Sequence, residues 1–198
     1  MNRFLAQLTC LVVCLVPTAA LAYVGVGSTS GFASGFMHPL SGLDHQLAMV
    51  LVGVLAYQLG GRALWLVPLA FVSAMALGGV LGLLAAPVPF VEIGIALSVI
   101  LLGAGVAFGI KPPVAVAMAA VGLFAILHGH VHGTEMPLDV SGAAYAAGFM
   151  AATALLHAIG LGLGYTVGMA SQRYGKTFYR VAGGVASVVG LGLLTGLA

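Results

Sequence analysis

The chain has 198 residues, of which 62% are hydrophobic and 5% are charged, and its mean hydropathy is +1.19. A globular chain carries roughly 25% charged residues, so this composition excludes a soluble enzyme and an intrinsically disordered protein. The net charge of +2 is too small to indicate nucleic-acid binding. We therefore interpret the sequence as that of a polytopic membrane protein.

The first 22 residues have the pattern of a secretory signal peptide. Arg3 precedes an apolar stretch that is shorter than the roughly 20 residues needed to span a bilayer, and small residues lead up to Ala22. We expect cleavage after Ala22, with an uncleaved first helix as the alternative. Cys10 and Cys14 both lie in this segment, so residues 23–198, which we take as a single domain, contain no thiolate for a disulfide or a metal.

Six apolar stretches follow, separated by glycine and proline residues typical of turns. Each stretch is continuous and too long for the alternating strands of a transmembrane barrel, so we predict an all-α membrane bundle of six transmembrane helices. The predicted spans are residues 43–59, 63–85, 90–109, 114–132, 143–170 and 178–197.

Basic residues occur in alternate loops between these spans. Arg62 follows the first span, Lys111 follows the third, and the last loop is surrounded by Arg173, Lys176 and Arg180. The positive-inside rule places these loops in the cytoplasm. Both termini of the mature chain then face outward, away from the cytoplasm, which agrees with a cleaved signal peptide.

Glycines four residues apart recur in the spans, and this spacing predicts close approach of helix backbones. They are Gly78 and Gly82; Gly105 and Gly109; Gly160, Gly164 and Gly168; and Gly192 and Gly196. This feature concerns packing and carries no chemistry.

A first polar cluster lies where the first span begins, and it contains His38, Asp44 and His45. If the helix starts at Pro39, the seven-residue spacing puts both imidazoles on one face, with Asp44 about 100° round the helix. The alternative is structural, because Ser41 and Asp44 match a capping box at a helix N-terminus.

A second polar cluster lies where the fourth span ends. If the helix continues through it, His128, His132 and Glu135 have the spacing i, i+4, i+7 and share one face. His130 would then point to the opposite side, where it is either a further ligand or a loop residue.

Three more residues are candidates for the same site, each with a structural alternative. Glu92 opens the third span, where a helix first turn also favours an acid. His157 lies midway along the fifth span, and ionisable residues inside a membrane usually have a function. Met49 lies in the first span and is either core packing or the lining of a metal path.

The combination of imidazole and carboxylate without thiolate suits a borderline divalent cation such as Ni²⁺, Co²⁺ or Zn²⁺. The proposed metal ligands are His38, Asp44, His45, His128, His132 and Glu135. We expect the bound group to be this metal ion and expect no prosthetic group.

Two motifs resemble the signature of the HupE/UreJ family of nickel permeases: HPLSGLDHQLAM at residues 38–49 and HGHVHGTEMP at residues 128–137. The resemblance extends over essentially the whole chain. It implies secondary uptake of Ni²⁺, or Co²⁺, across the bacterial cytoplasmic membrane for hydrogenase or urease assembly. Carried over residue by residue, it implies ligand roles for His38, Asp44 and His45 in the first motif and for His128, His132 and Glu135 in the second.

Two other functions are compatible with the same residues. An intramembrane hydrolase could use a zinc ion held by histidines and an acid, although no H-E-x-x-H motif is present. A b-type haem could be ligated by His157 together with His45 or His128. We favour the permease, which is not an enzyme. Since no phosphate-binding G-x-x-x-x-G-K-[ST] loop occurs, its energy comes from an ion gradient, the membrane potential or a partner.

Overall fold

The computed structural model describes residues 31–170 and 172–196. The described part is all-α and contains no strand, as predicted. Its helices are α1 (Gly31–Ser41), α2 (Leu43–Leu59), α3 (Ala63–Leu83), α4 (Val91–Phe108), α5 (Val114–Thr134), α6 (Gly142–Ala170) and α7 (Gln172–Thr195). The expected signal peptide and its cleavage site lie outside the described residues.

Five of these helices, α3 to α7, are each long and apolar enough to cross a membrane. Helices α1 and α2 pass the same test only as a pair, which is bent by 85° at the break between them. The described chain therefore has five candidate spans, or six when the bent pair counts as one. This agrees with the bundle predicted from the apolar stretches.

The bend between α1 and α2 corrects the prediction for the first polar cluster. Pro39 lies inside α1 and does not begin a helix, and α2 starts after Gly42, whose backbone is extended at φ −97° and ψ 125°. His38 and His45 therefore lie on two helices and do not share one helical face. The capping box is also absent, because the Ser41 hydroxyl donates to the His38 carbonyl at 2.6 Å. Proline lacks an N–H and glycine readily leaves helical geometry, so the chain bends here.

Glycines bring α3 and α5 into backbone contact. Added Cβ atoms at Gly78 and Gly82 would overlap the carbonyls of α5, and added Cβ atoms at Gly129 and Gly133 would overlap those of α3. The prediction for Gly78 and Gly82 is thus confirmed, and the partner pair on α5 was missed. This contact fixes the rotation of α5 about its own axis.

The other glycine predictions divide into two groups. Gly160 packs on the α2 backbone, which confirms the prediction at that position, whereas Gly164 and Gly168 pack on the side chain of Tyr57. The prediction for Gly105 and Gly109 is wrong: a Cβ at Gly105 would meet open space, and Gly109 ends α4 in a left-handed conformation at φ +63°. Open space also surrounds Gly196.

Helix α2 is central, since it contacts α1, α3, α4 and α6, while α3 packs on α5 and α4 packs on α7. Large apolar side chains such as Leu77, Leu101 and Val188 are exposed on the outside of the bundle, as expected for surfaces that face lipid. The short connections reverse the chain direction, so the N-termini of α2, α4 and α6 lie at the end where α3, α5 and α7 terminate. We call this the outer end and the opposite one the inner end.

Candidate metal site

Four imidazole rings lie in contact at the outer end, and we call them the histidine cluster: His38, His45, His128 and His132. The His132 ring is 4.9 Å from the His38 ring and 4.6 Å from the His45 ring, measured between centroids. The His45 ring in turn lies 4.9 Å from the His128 ring. His128 and His132 are completely buried, and His38 lies at the partly exposed edge.

The glycine contact between α3 and α5 explains why α5 supplies two of these rings. Gly129 and Gly133 face α3, and each preceding residue lies about 100° round the helix. His128 and His132 therefore share a different face, on which both reach His45 of α2. The helix continues through both histidines to Thr134, and Glu135, the third residue of the predicted face, is its C-cap.

Both motifs also place a carboxylate beside the cluster. Glu135 Oε2 lies 3.1 Å from His38 Nε2, and the Glu135 side chain is 56% exposed. Asp44 Oδ1 lies 2.7 Å from His45 Nδ1 and accepts the His45 backbone N–H at 2.8 Å. The carboxylates thus pair with the rings contributed by α1 and α2, and one of them is open to solvent.

A buried serine, Ser98 of α4, assigns the protonation of the His128 ring. Its hydroxyl donates to the Ile95 carbonyl at 2.6 Å and lies 2.9 Å from His128 Nε2. Because a serine hydroxyl has a single proton, the second bond requires His128 Nε2–H to donate. His128 Nδ1 is then an unprotonated nitrogen, and it has no hydrogen-bond partner. Sequence reasoning missed Ser98, although a serine inside an apolar span was a usable signal.

The same reasoning applies to His45. Its Nδ1–H donates to the Asp44 carboxylate, so in the neutral ring Nε2 carries the lone pair, and this nitrogen has no hydrogen-bond partner among the described residues. Within the same part of the chain, neither nitrogen of the buried His132 ring has a hydrogen-bond partner. Since a buried polar atom without a partner costs about 1–3 kcal/mol, several such atoms in one cluster indicate a site that receives a ligand.

The cluster is not arranged as a closed metal cage. Its rings meet edge to face or tilted, with angles of 58° to 88° between ring planes. Within residues 31–170 and 172–196, no group of three or more His, Cys, Asp or Glu side chains is positioned to hold a metal ion. Coordination by several of these side chains therefore requires rotation of the rings.

The additional candidates lie in different surroundings. His130 is outside the cluster, where its Nε2 bonds the Ala86 carbonyl at 2.8 Å. Met49 is completely buried in the apolar core. Glu92 is exposed in the first turn of α4 and lines a recess of about 140 Å³ together with Asp44.

His157 lies deeper in the bundle and is 1% exposed. Its ring centroid is 5.0 Å from that of Phe71, and Phe71 in turn lies 5.9 Å from the His128 ring. Neither nitrogen of His157 has a hydrogen-bond partner. One aromatic ring thus connects the histidine cluster to a second buried imidazole.

Two aromatic residues of α6 complete the wall of the cluster and were missed from the sequence. Phe149 stacks on His132 with ring centroids 5.2 Å apart, and Tyr145 lies 5.9 Å from His38. The Tyr145 hydroxyl is buried without a hydrogen-bond partner. Only the packing of α6 against α1 brings these rings to the site.

The fold and the cluster define a class: a multi-pass helical membrane protein with a histidine and carboxylate site at one end. Comparison with known proteins gives the family. The family described as HupE / UreJ protein matches residues 11–193. Protein HupE of Rhizobium leguminosarum bv. viciae is 49% identical over 191 residues, which cover 95% of this chain and 96% of that protein. No solved structure matches. The chain belongs to the HupE/UreJ family, so the resemblance drawn from the two histidine motifs is confirmed.

Proposed function

We propose that this chain is a secondary transporter that takes up Ni²⁺, or Co²⁺, across the bacterial inner membrane. Its function is then to supply metal for hydrogenase or urease assembly, and it is not an enzyme. The observation that carries the proposal is the histidine cluster, where buried imidazole nitrogens without partners lie beside two carboxylates. Imidazole and carboxylate are the ligands that such borderline cations prefer.

The ion enters from the edge of the cluster that is open to water. Glu135 is more than half exposed and pairs with His38, which is 26% exposed. A carboxylate raises the local concentration of cations, and an imidazole can replace one water of the hydrated ion. Glu135 and His38 therefore form the capture step, with the outer end facing the periplasm.

The next ligands are the buried rings. His132 contacts both His38 and His45, so an ion that moves inward from His38 reaches His132 before His45. His45 Nε2 and His128 Nδ1 each offer a lone pair, because Asp44 and Ser98 hold the opposite nitrogens of the two rings. Hydrogen bonds of this kind orient imidazole ligands and increase their basicity.

Transport also requires release. A site with few simultaneous ligands binds an ion tightly enough to admit it and loosely enough to let it leave. The edge-to-face rings suit this, since each must rotate to coordinate. We propose that Phe71 separates this outer binding step from a second one at His157, which receives the ion deeper in the membrane.

The experiment measures accumulation of radiolabelled Ni²⁺ in cells that express the chain, with Co²⁺ and Zn²⁺ as competitors. We expect His45→Ala to reduce uptake about tenfold or more, as loss of a ligand or its supporting partner typically does. His130→Asn is the matched control, because it changes a histidine of the same end that lies outside the cluster. Equal uptake by wild type and His45→Ala at equal membrane levels would contradict the proposal, and the competition order identifies the preferred metal.

A further inference from the structure

A second cavity lies at the inner end, remote from the histidine cluster. Its volume is about 390 Å³, and its basic lining residues are Lys111, Lys176 and Arg180. Gln58 and Tyr179 line it as well. The loop after α4 supplies Lys111, whereas α7 supplies the other two cations one helical turn apart, so that both project from one face. We call this the inner basic cavity.

No Asp or Glu side chain of the described residues neutralises this cavity. The chain has four acidic residues, Asp44, Glu92, Glu135 and Asp139. Each lies at the outer end, in the first turn of α2 or α4 or in the connection between α5 and α6. Among the described residues, three cations thus face one cavity without a carboxylate counterion.

The helix ends do not supply the missing negative charge. The C-terminal ends of α2 and α4 each contribute roughly half an elementary negative charge, and the N-terminal end of α7 contributes about half an elementary positive charge. Together they offset only about half of one elementary charge, so the cavity keeps most of the positive charge of its three side chains. Mutual repulsion of these cations is relieved when an anion binds between them.

The neutral residues of the cavity indicate which group a bound anion would carry besides its charge. The Tyr179 hydroxyl already donates to the Gly164 carbonyl at 2.7 Å, so it is not a free donor. Gln58 Nε2 donates to the Val106 carbonyl at 3.1 Å, which leaves its buried Oε1 without a partner. A ligand that combines an anionic group with a hydroxyl would satisfy both the cations and this acceptor.

From these observations we propose that the inner basic cavity binds a phosphate-bearing anion. Lysine and arginine are the standard partners of phosphate, and basic pockets between transmembrane helices on the cytoplasmic side hold phosphate headgroups of lipids. Phe108 lines the cavity and is 79% exposed, and Ile110 beside it is 53% exposed. These apolar side chains would contact the acyl chains of a lipid whose headgroup occupies the cavity.

The test uses the purified full-length chain in detergent and measures its melting temperature. The added probes are phosphatidylglycerol, phosphatidylcholine with the same acyl chains, and millimolar inorganic phosphate. We expect phosphatidylglycerol to raise the melting temperature of the wild type by about 4 °C more than phosphatidylcholine does, because a ligand that binds only the folded state stabilises it. An equal rise with inorganic phosphate would identify free phosphate as a sufficient ligand.

Two variants test whether the rise in melting temperature comes from binding in the cavity. Lys176→Gln combined with Arg180→Gln removes two of the cations, and Gln58→Glu keeps all three while adding an internal carboxylate as a counterion. Both should lose most of the shift. Arg62→Gln is the control, since it removes a cation of the same end that does not line the cavity. The proposal fails if neither anion stabilises the wild type, if both cavity variants keep the full shift, or if Arg62→Gln loses as much of it. None of these outcomes depends on metal transport.

Discussion

The two ends of this bundle differ in the burial and in the charge of their polar side chains. At the outer end, four imidazoles are packed together and mostly buried, with carboxylates at the edge. At the inner end, lysine and arginine side chains surround an open cavity that contains no Asp or Glu side chain of the described residues. The outer end therefore presents imidazole lone pairs and carboxylates, which suit a metal cation. The inner end presents positive charge without a counterion, which suits an anion.

This difference shows how polar residues can be interpreted in a chain with so few of them. A charged group in a bilayer costs about 2.5–3.5 kcal/mol on insertion scales, so each must be paired, reach water or bind something. The informative atoms are those left without a partner: imidazole nitrogens at the outer end, and ammonium and guanidinium groups at the inner end. The imidazole nitrogens indicate a metal cation as the ligand, and the ammonium and guanidinium groups indicate an anion.

The largest effect should come from His132→Ala, which removes the ring that contacts both His38 and His45. We expect Ni²⁺ uptake to fall more than about tenfold, because the path from the exposed edge to the buried ligands is interrupted. Uptake by Arg62→Gln, a matched change at the inner end, should stay near that of the wild type. Comparable losses of uptake in the two variants would contradict the assignment of metal binding to the outer end alone.

Acidification should have the next largest effect. Free imidazole titrates near pH 6.5, and only the neutral ring binds a metal. The rings of the cluster are largely buried, and burial disfavours the charged imidazolium, so protons should compete with the ion only below that pH. We therefore expect initial uptake rates to change little between about pH 7.5 and pH 6.5 and to fall several-fold as the pH is lowered further. Rates measured in vesicles with a fixed internal pH provide the check. A profile that stays flat down to about pH 4.5 would contradict histidine capture.

Ser98→Ala should reduce uptake less, by about threefold, because it leaves His128 Nε2–H without an acceptor and frees the ring to change tautomer. The unpaired group should also lower the free energy of unfolding by about 1–3 kcal/mol. Ser187→Ala is the matched control: its hydroxyl lies within hydrogen-bond distance of two carbonyls, those of Ile100 and Gly183, and bonds no imidazole. Melting and uptake are measured together. Equal uptake in Ser98→Ala and Ser187→Ala would remove the role assigned to Ser98.

Glu135→Gln should have the smallest effect, a loss of about twofold in uptake at low metal concentration with almost no change in stability. The carboxylate is 56% exposed, and exposed ion pairs contribute about 0–1 kcal/mol. The loss should shrink as the Ni²⁺ concentration rises or as salt is added, since both weaken electrostatic steering. Asp139→Asn, which changes an exposed acid in the same connection between α5 and α6, provides the baseline. A loss that persists at saturating Ni²⁺ would place Glu135 among the binding ligands instead of the capture step.

Much of the site was predictable because the residue spacings that indicate it lie within single helices. The spacing of His128 and His132 indicated one helical face, and α5 does continue through them. His130 points elsewhere for the same reason, and its ring bonds the Ala86 carbonyl. The first motif was harder, since a proline inside a helix and a glycine after it permit a bend without fixing the residue at which the chain bends.

The sequence by itself determined the class of the protein, the all-α architecture and the clustering of polar residues near one end, because hydropathy and helical periodicity act over short stretches of chain. Only the tertiary structure decided which rings touch, since contact between α2 and α5 depends on the glycine packing of α5 against α3. It also decided the roles of Ser98 and Phe149, and it assembled three distant cations around one cavity. Such contacts join residues far apart in the chain, and local pattern carries no information about which of them meet.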